Sequence, residues 1–389
     1  MSAVLPLPSA PSPRLLSPKA WSGVLAAVLA VGVLIPVLNL LVPAGNVLHA
    51  SDYMVSLVGK IMCYAICALA MDLIWGYTGI LSLGHGVFFA LGGYAMGMYL
   101  MRQIGRDGNY KSDLPDFMVF LDWKALPWHW ALSDSFVLQM LLVVLVPGLL
   151  AFVFGFFAFR SRIKGVYFSI ITQAMTFATM LLFFRNETGF GGNNGFTDFK
   201  RILGSPIATP GMRMFLFVLT GVTLIAFFVF SRWLVKSKFG RVLQAIRDAE
   251  SRVMFTGYDP LRYKLTIWVI SAVMCAVAGA LYVPQVGIIN PSEMSPAASI
   301  EIAIWAAVGG RGTLIGPIVG AFFVNGAKSW FTQAFPEFWL YFLGALFIAV
   351  TLFLPNGIVG LLRRPGGIAG LLRRPGGIAG PLRRKAGRE

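Results

Sequence analysis

The side chains able to make or break bonds are few in this sequence, and they do not form a set. The histidines are His49, His85 and His129, widely separated, and the cysteines Cys63, Cys67 and Cys275 all lie in apolar runs. No Ser/His/Asp arrangement, no H-E-x-x-H pair and no phosphate-cradling G-x-x-x-x-G-K-[ST] occurs. The chain therefore has no Walker-type ATP site and no assignable catalytic residue. Cys63 and Cys67 share a helix face at i, i+4, but no other soft ligand is near, so they read as small core residues; no metal and no other cofactor is expected. What remains are isolated polar groups in apolar surroundings. Tyr77, Ser82 and His85 lie in one glycine-rich stretch, Asn193, Asn194 and Thr197 in another, and Asp72 and Glu301 lie at the ends of apolar runs. Ionisable groups inside spans mark solute pathways by default, although at span ends they can instead reach the interface. His85 could gate or line a path, or simply cap a helix. Asn193, Asn194 and Thr197 suit an outer mouth, or a turn that contacts another protein.

The elements that must position these groups are membrane helices. Of the 389 residues 57% are hydrophobic and only 12% charged, with mean hydropathy +0.75, where a soluble domain carries about 25% charged residues. Several apolar runs reach the roughly 20 residues needed to cross a bilayer. The expected fold is all-α, a polytopic bundle of about ten spans. They fall near 21–42, 53–75, then after a short hinge a span to about 101, and 135–159, 165–184, 213–234, 265–286, 298–308, 314–331 and 337–354, with 298–331 open to being a re-entrant pair. Pro36 predicts a kink near the end of the first span. With both termini cytoplasmic, the inner segments are 160–164, 232–264, the hinge at Arg311 and the tail, and these are the basic ones, as the positive-inside rule requires.

Formal net charge is +16. Lys and Arg gathered in cytoplasmic loops account for it, and no folded basic domain is present to bind nucleic acid. Residues 1–20, rich in Pro and Ser, read as a disordered arm before a permease domain at 21–358. Residues 359–389 repeat GLLRRPGGIA and carry eight basic residues and one acid, a solvated tail drawn to anionic lipid.

Two glycine clusters interrupt the spans. One contains Gly76, Gly79 and Gly84; the other contains Gly309, Gly310, Gly312 and Gly316. Small residues let helices approach closely, and broken helices at membrane depth line transport paths; both readings fit. Between the sixth and seventh expected spans lies a basic island, 232–264. From Ser237 its apolar residues Phe239, Val242, Leu243, Ile246, Ala249 and Val253 recur at helical spacing, opposite Arg241, Gln244, Arg247, Asp248 and Arg252, until Gly257, Asp259 and Pro260 stop the helix. Too short and charged to span, it rests on lipid headgroups or docks into a soluble partner.

Three stretches resemble, in order, the permeases of high-affinity branched-chain amino acid ABC importers: LIWGYTGILSLGHGVFFALGGYAMGMYL, then SKFGRVLQAIRDAES with GYDPLRYKLTIWVISAVMCAVAGALY, then AVGGRGTLIGPIVGAFF. LPDFMVFLDWKALPWHW and GFGGNNGFTDFKRILG further resemble the larger permease subunit of the family's bacterial urea-uptake branch. The resemblance implies a second related permease subunit, two cytoplasmic ATP-binding subunits, a periplasmic solute-binding protein and a multi-pass place in the inner membrane. It makes the amphipathic stretch a coupling helix, with Arg241, Gln244, Arg247, Asp248, Glu250 and Gly257 as the ATPase-coupling residues. The family's Glu-Ala-Ala pattern is replaced here by Ala249, Glu250 and Ser251. The implied cargo is urea or a related small amide; the same machine carrying branched-chain amino acids, and a passive small-solute channel, are the alternatives.

Overall fold

The computed structural model describes residues 18–43, 46, 48–338, 341, 344, 345, 348 and 357–362. The tenth expected span falls mostly outside them, as do the arm through residue 17 and the tail beyond 362. Helices α1 (Pro18–Leu29) and α2 (Ile35–Leu40) form one rod, joined by a π-helical turn at Ala30–Leu34. The widened turn lies just before Pro36, where it relieves the clash of the proline ring with the preceding turn. Then come α3 (Asp52–Thr78), α4 (His85–Arg102), a short α5 (Asp116–Phe120), α6 (Phe136–Arg160), α7 (Val166–Phe184), α8 (Pro210–Lys236), α9 (Lys238–Phe255), α10 (Pro260–Val286), α11 (Pro296–Gly309), α12 (Ile315–Ala334) and α13 (Gly357–Leu362). Among the described residues, six helical segments are long and apolar enough to cross a membrane: Trp21–Leu40, α3, α6, α7, α8 and α10. The chain is a polytopic helical membrane bundle.

Helices α3, α4 and α10 form the centre. The apolar windows of α3 and α10 are 67% and 72% buried, against 6% for the N-terminal rod and 28% for α6 and α7. Those outer helices turn Leu25, Leu29, Leu141, Phe157 and Ile170 outward, the surface a bilayer or a partner subunit would cover. The closest approach is between α4 and α10. A side chain on Gly92 would collide with the Ala276 carbonyl, and one on Gly279 with the Phe89 carbonyl. Gly93 and Gly97 instead leave room for Ile289 and Phe196.

The two ends of the bundle segregate as the expected alternation demands. At one end meet the 160–165 turn, α9 and the 310–314 hinge: Lys164 and Lys264 both bind Glu250, Arg247 reaches α3, and Arg311 lies over the Trp75 ring at 5.3 Å. At the other meet 103–135, 185–209 and the start of α3. There Arg213 pairs with Asp52 at 3.0 Å, the Trp130 indole donates to the Gly189 carbonyl, and Phe196–Thr197 pairs antiparallel with Ile288–Ile289.

Three stretches gain detail or change. After the second span comes the expected hinge: α3 continues to Thr78, Gly79 turns with φ +75°, and the chain runs without helix back into the bundle before α4 begins. His85 lies opposite Ser271, well inside the bundle. Residues 287–297 do not stay outside. Ile289 packs near Gly93 and Gly97, and the Glu293 carbonyl comes close to Gly86, so the segment descends along α4 before α11 starts. The stretch 298–331 forms a short helix and a long one. Helix α12 runs the depth of α3, from Gly312 beside Tyr77 to Ser329 and Gln333 beside Tyr53, and its 20 residues rise about 30 Å. Helix α11, with 14 residues, rises only about 21 Å, the extended arm supplying the rest.

Replacing Gly92 by Val should lower the thermal midpoint of the detergent-purified chain by the equivalent of at least about 1–3 kcal/mol, since a backbone carbonyl cannot yield to the added carbons. Gly326→Ala, where an added carbon meets nothing, should leave the midpoint in place; equal behaviour of the two would contradict the α4–α10 contact.

Candidate functional site

The amphipathic island folds as a docking helix should. Ser237 caps α9 by accepting the Gly240 N–H at 3.3 Å. Leu243, Ile246 and Val253 are buried, while Arg241, Asp248 and Arg252 face out. Met254, Phe255 and Tyr258 project at the tip, Phe255 being 91% exposed. Gly257 closes the turn at φ +86°, a left-handed conformation that suits glycine, and Asp259 caps α10 by accepting from the Leu261 N–H.

Two residues expected on the docking side bond back to the bundle. The Arg247 guanidinium donates to the Gly76 carbonyl at 2.8 Å and pairs with Asp248 at 3.0 Å, its stem lying over Gly79. Glu250 sits between Lys264 (2.6 Å) and Lys164 (2.7 Å). The helix is broken at Ala249 (φ −158°, ψ 75°), which takes Glu250 out of the register that simple periodicity assigns. Burial raises the Glu250 carboxyl, but the bonds to Lys164 and Lys264 outweigh it and hold the group below its ordinary range. Arg241 and Asp248 remain outward, and Gln244 is half-buried.

The contact that Arg247 makes continues into the second glycine cluster. The buried Asp72 carboxylate accepts the backbone N–H groups of Gly312 and, at 3.0 Å, of Leu314, and the Tyr77 hydroxyl donates to the Gly312 carbonyl at 3.0 Å. Gly310 and Gly312 have φ of +116° and +74°, and Leu314 has φ +62°, unfavourable for a side chain with a Cβ. Gly76 has no room for a Cβ against Gly312, and Gly309 none against Gly316. Gly76, Gly79, Gly309, Gly310, Gly312 and Gly316 thus join one knot beneath the bundle. Gly84 packs on Thr172 of α7.

The pathway candidates separate. Ser82 and His85 are fully buried; the His85 ring bonds Ser82 through Nδ1 and Ser271 through Nε2, both at 3.1 Å, and lies edge-on to Trp268. His85 is a satisfied interior histidine that fixes the start of α4. Tyr77 belongs to the knot. Asn193, Asn194 and Thr197 are exposed at the opposite end. Glu301 alone of these residues lines a cavity that lies where the start of α4 meets the descending arm and α11. Tyr64, Cys67, Gly86, Phe89, Glu293 and Trp305 also line it. Aromatic residues in apolar runs look like core, and Glu293 sits in a stretch that reads as a loop, so sequence inspection passes over them. The signal that could have found them is Lys60, a charge in mid-span whose ammonium lies 5.7 Å from the Tyr64 ring and 5.9 Å from that of Tyr282.

The chain matches the family described as "Branched-chain amino acid transport system / permease component" over residues 53–351. It is 24% identical over 325 residues to the high-affinity branched-chain amino acid transport system permease protein LivM of Salmonella typhimurium, covering 78% of this chain and 69% of that one. It is 22% identical over 314 residues to BraD of Pseudomonas aeruginosa, a permease protein of the same kind of system (76% and 91%). It is 28% identical over 145 residues to the ribose import permease protein RbsC of Bacillus subtilis (36% and 42%). No solved structure is matched.

Arg247→Met should leave membrane insertion intact and cut solute moved per ATP hydrolysed by about tenfold, the scale of one charge-assisted hydrogen bond; normal coupling in the reconstituted complex would refute the strut. Because the Glu250 carboxyl is depressed on folding, its stabilisation is fully present above the unfolded value of about 4.3 and lost as pH falls through the lower folded value. The gap in thermal midpoint between the wild type and Glu250→Gln should thus be constant from roughly pH 6 to 8 and close only in strong acid.

Proposed function

Because the chain belongs to the branched-chain amino acid transport permease family, we propose that it is the larger, LivM-like membrane subunit of an ATP-driven importer of small nitrogenous solutes. It would work in a bacterial inner membrane beside a second, related permease subunit, with two ATP-binding subunits on its basic face and a periplasmic solute-binding protein on the other. The observation that carries this reading is the strut from α9 through Arg247 to the Gly76 carbonyl, and on to the Gly312 hinge. A soluble motor that closed on Phe255 and the exposed face of α9 would push directly on the broken ends of α3 and α12. A rigid lever of this kind converts differential contacts in two motor states into two arrangements of the bundle. A passive channel has no use for it.

Branched-chain amino acids are the cargo named for LivM and BraD, and those names support that cargo for this chain. Urea is the second reading. Two outer stretches support it, 114–130 and 189–204, through their resemblance to the urea-uptake branch. A neutral amide also needs no buried counter-charge along its path.

The test is uptake of labelled leucine and labelled urea by the complete complex in proteoliposomes, with and without ATP. ATP-dependent entry of either solute is the expected result, and the ratio of the two assigns the cargo. Entry that persists undiminished without ATP would overturn the importer reading in favour of the channel.

A further inference from the structure

One cavity holds a feature that helix packing does not explain. Trp305 is only 3% exposed, lines the cavity, and its indole Nε1–H has no hydrogen-bond partner among the described residues. Buried donors are nearly always satisfied, and an unmet one is costly. The indole belongs to a residue of the cavity wall, and an acceptor that reached its open donor would complete it.

The neighbouring groups supply the other half of such a visitor's needs. Glu293 receives the Tyr282 hydroxyl at 3.2 Å, and Glu301 holds the Lys328 ammonium through both oxygens at 2.9 and 3.0 Å. A carboxyl group keeps acceptor capacity in either protonation state, so each can accept a further hydrogen bond. The Tyr64 ring lies 4.8 Å from that of Trp305 and 5.9 Å from that of Phe89, making an aromatic wall. The free space is about 30 Å³, room for roughly two waters when one needs about 10–15 Å³. The cavity lies where both discontinuities of the bundle meet: the start of α4 at Gly86 and the end of the descending arm at Glu293.

We infer that this cavity is a solute station, in which the Trp305 N–H donates to an oxygen of the solute, Glu293 and Glu301 accept from its N–H groups, and the aromatic rings hold its flat face. The ligand chemistry is a small molecule with an oxygen acceptor at one side and N–H donors at the other. A simple amide such as urea has it, and so does the charged end of an amino acid. The volume admits a compact planar amide with little adjustment, whereas a branched side chain requires the rings to part. The inference rests on the importer reading and adds to it the residues that touch the cargo.

The test uses Trp305→Phe, which removes the donor and keeps an aromatic ring, and Glu293→Gln, which keeps an acceptor for Tyr282 and removes the charge. Each is assayed in the complete complex for labelled urea and labelled leucine moved per ATP hydrolysed. The expected result is a five- to tenfold drop in solute moved per ATP, with ATP hydrolysis within about twofold of wild type, the scale of one lost hydrogen bond. A drop for urea alone assigns the station to amides; a drop for leucine alone assigns it to the amino acid's polar end. A merely structural role would lower hydrolysis and transport together, or reduce assembly, and that outcome for both variants overturns the station. So do variants that transport both solutes at the wild-type ratio. If the wild-type complex moves neither solute with ATP, the importer reading itself fails and the station with it.

Discussion

One buried carboxylate holds the inner end of this protein together. Asp72 is fully enclosed and accepts the N–H groups of Gly312 and Leu314, the donors left open where α12 begins. A helix N-terminus carries partial positive charge and unsatisfied N–H groups, and within a bundle no water is there to meet them. A carboxylate from the neighbouring helix answers both needs at once. It also compensates the unfavourable backbone of Leu314, which such a contact must over-determine if it is to persist. Without Asp72 the hinge between α11 and α12 would lose two hydrogen bonds to α3, leaving the Tyr77 hydroxyl on the Gly312 carbonyl.

From that point the mechanical connections run in two directions. Downward, the Gly76 carbonyl, one turn beyond Asp72, receives Arg247 from α9. Upward, the hinge sets the level of α11, and the pairing of Glu301 with Lys328 locks α11 to α12 beside the cavity. The basic face and the cavity are therefore linked by backbone hydrogen bonds and a charged strut rather than by flexible loops. Close glycine contacts add rigidity: Gly309 against Gly316 and Gly92 against Ala276 leave no slack for independent motion.

The distribution of polar groups follows the same economy. Serine and threonine hydroxyls inside the helices return to carbonyls of their own turn, as Thr220 does to Leu216 and Thr176 to Thr172, so they cost little in an apolar setting. The charged residues at depth are paired or lie over rings: Glu301 with Lys328, Lys60 over Tyr64 and Tyr282. The Trp305 indole breaks that pattern, as do the Tyr94 and Ser231 hydroxyls.

Much of this was legible in the sequence. Apolar run length announces membrane helices, because a bilayer demands about 20 such residues, and the placement of Lys and Arg orders the loops. The period of α9 marks Leu243, Ile246 and Val253 as its buried face, because a helix returns every 3.6 residues. The glycine clusters announce interruption. What the sequence could not decide is where the broken ends go, since the partner of an open N–H or of a descending arm is set by contacts between residues far apart in the chain. Only the tertiary structure showed His85 to be a satisfied interior group and tied Arg247 and Glu250 back to the bundle. Only it brought Tyr64, Phe89, Glu293 and Trp305 around one cavity, because an aromatic ring in an apolar run looks the same whether it packs against a helix or faces a solute.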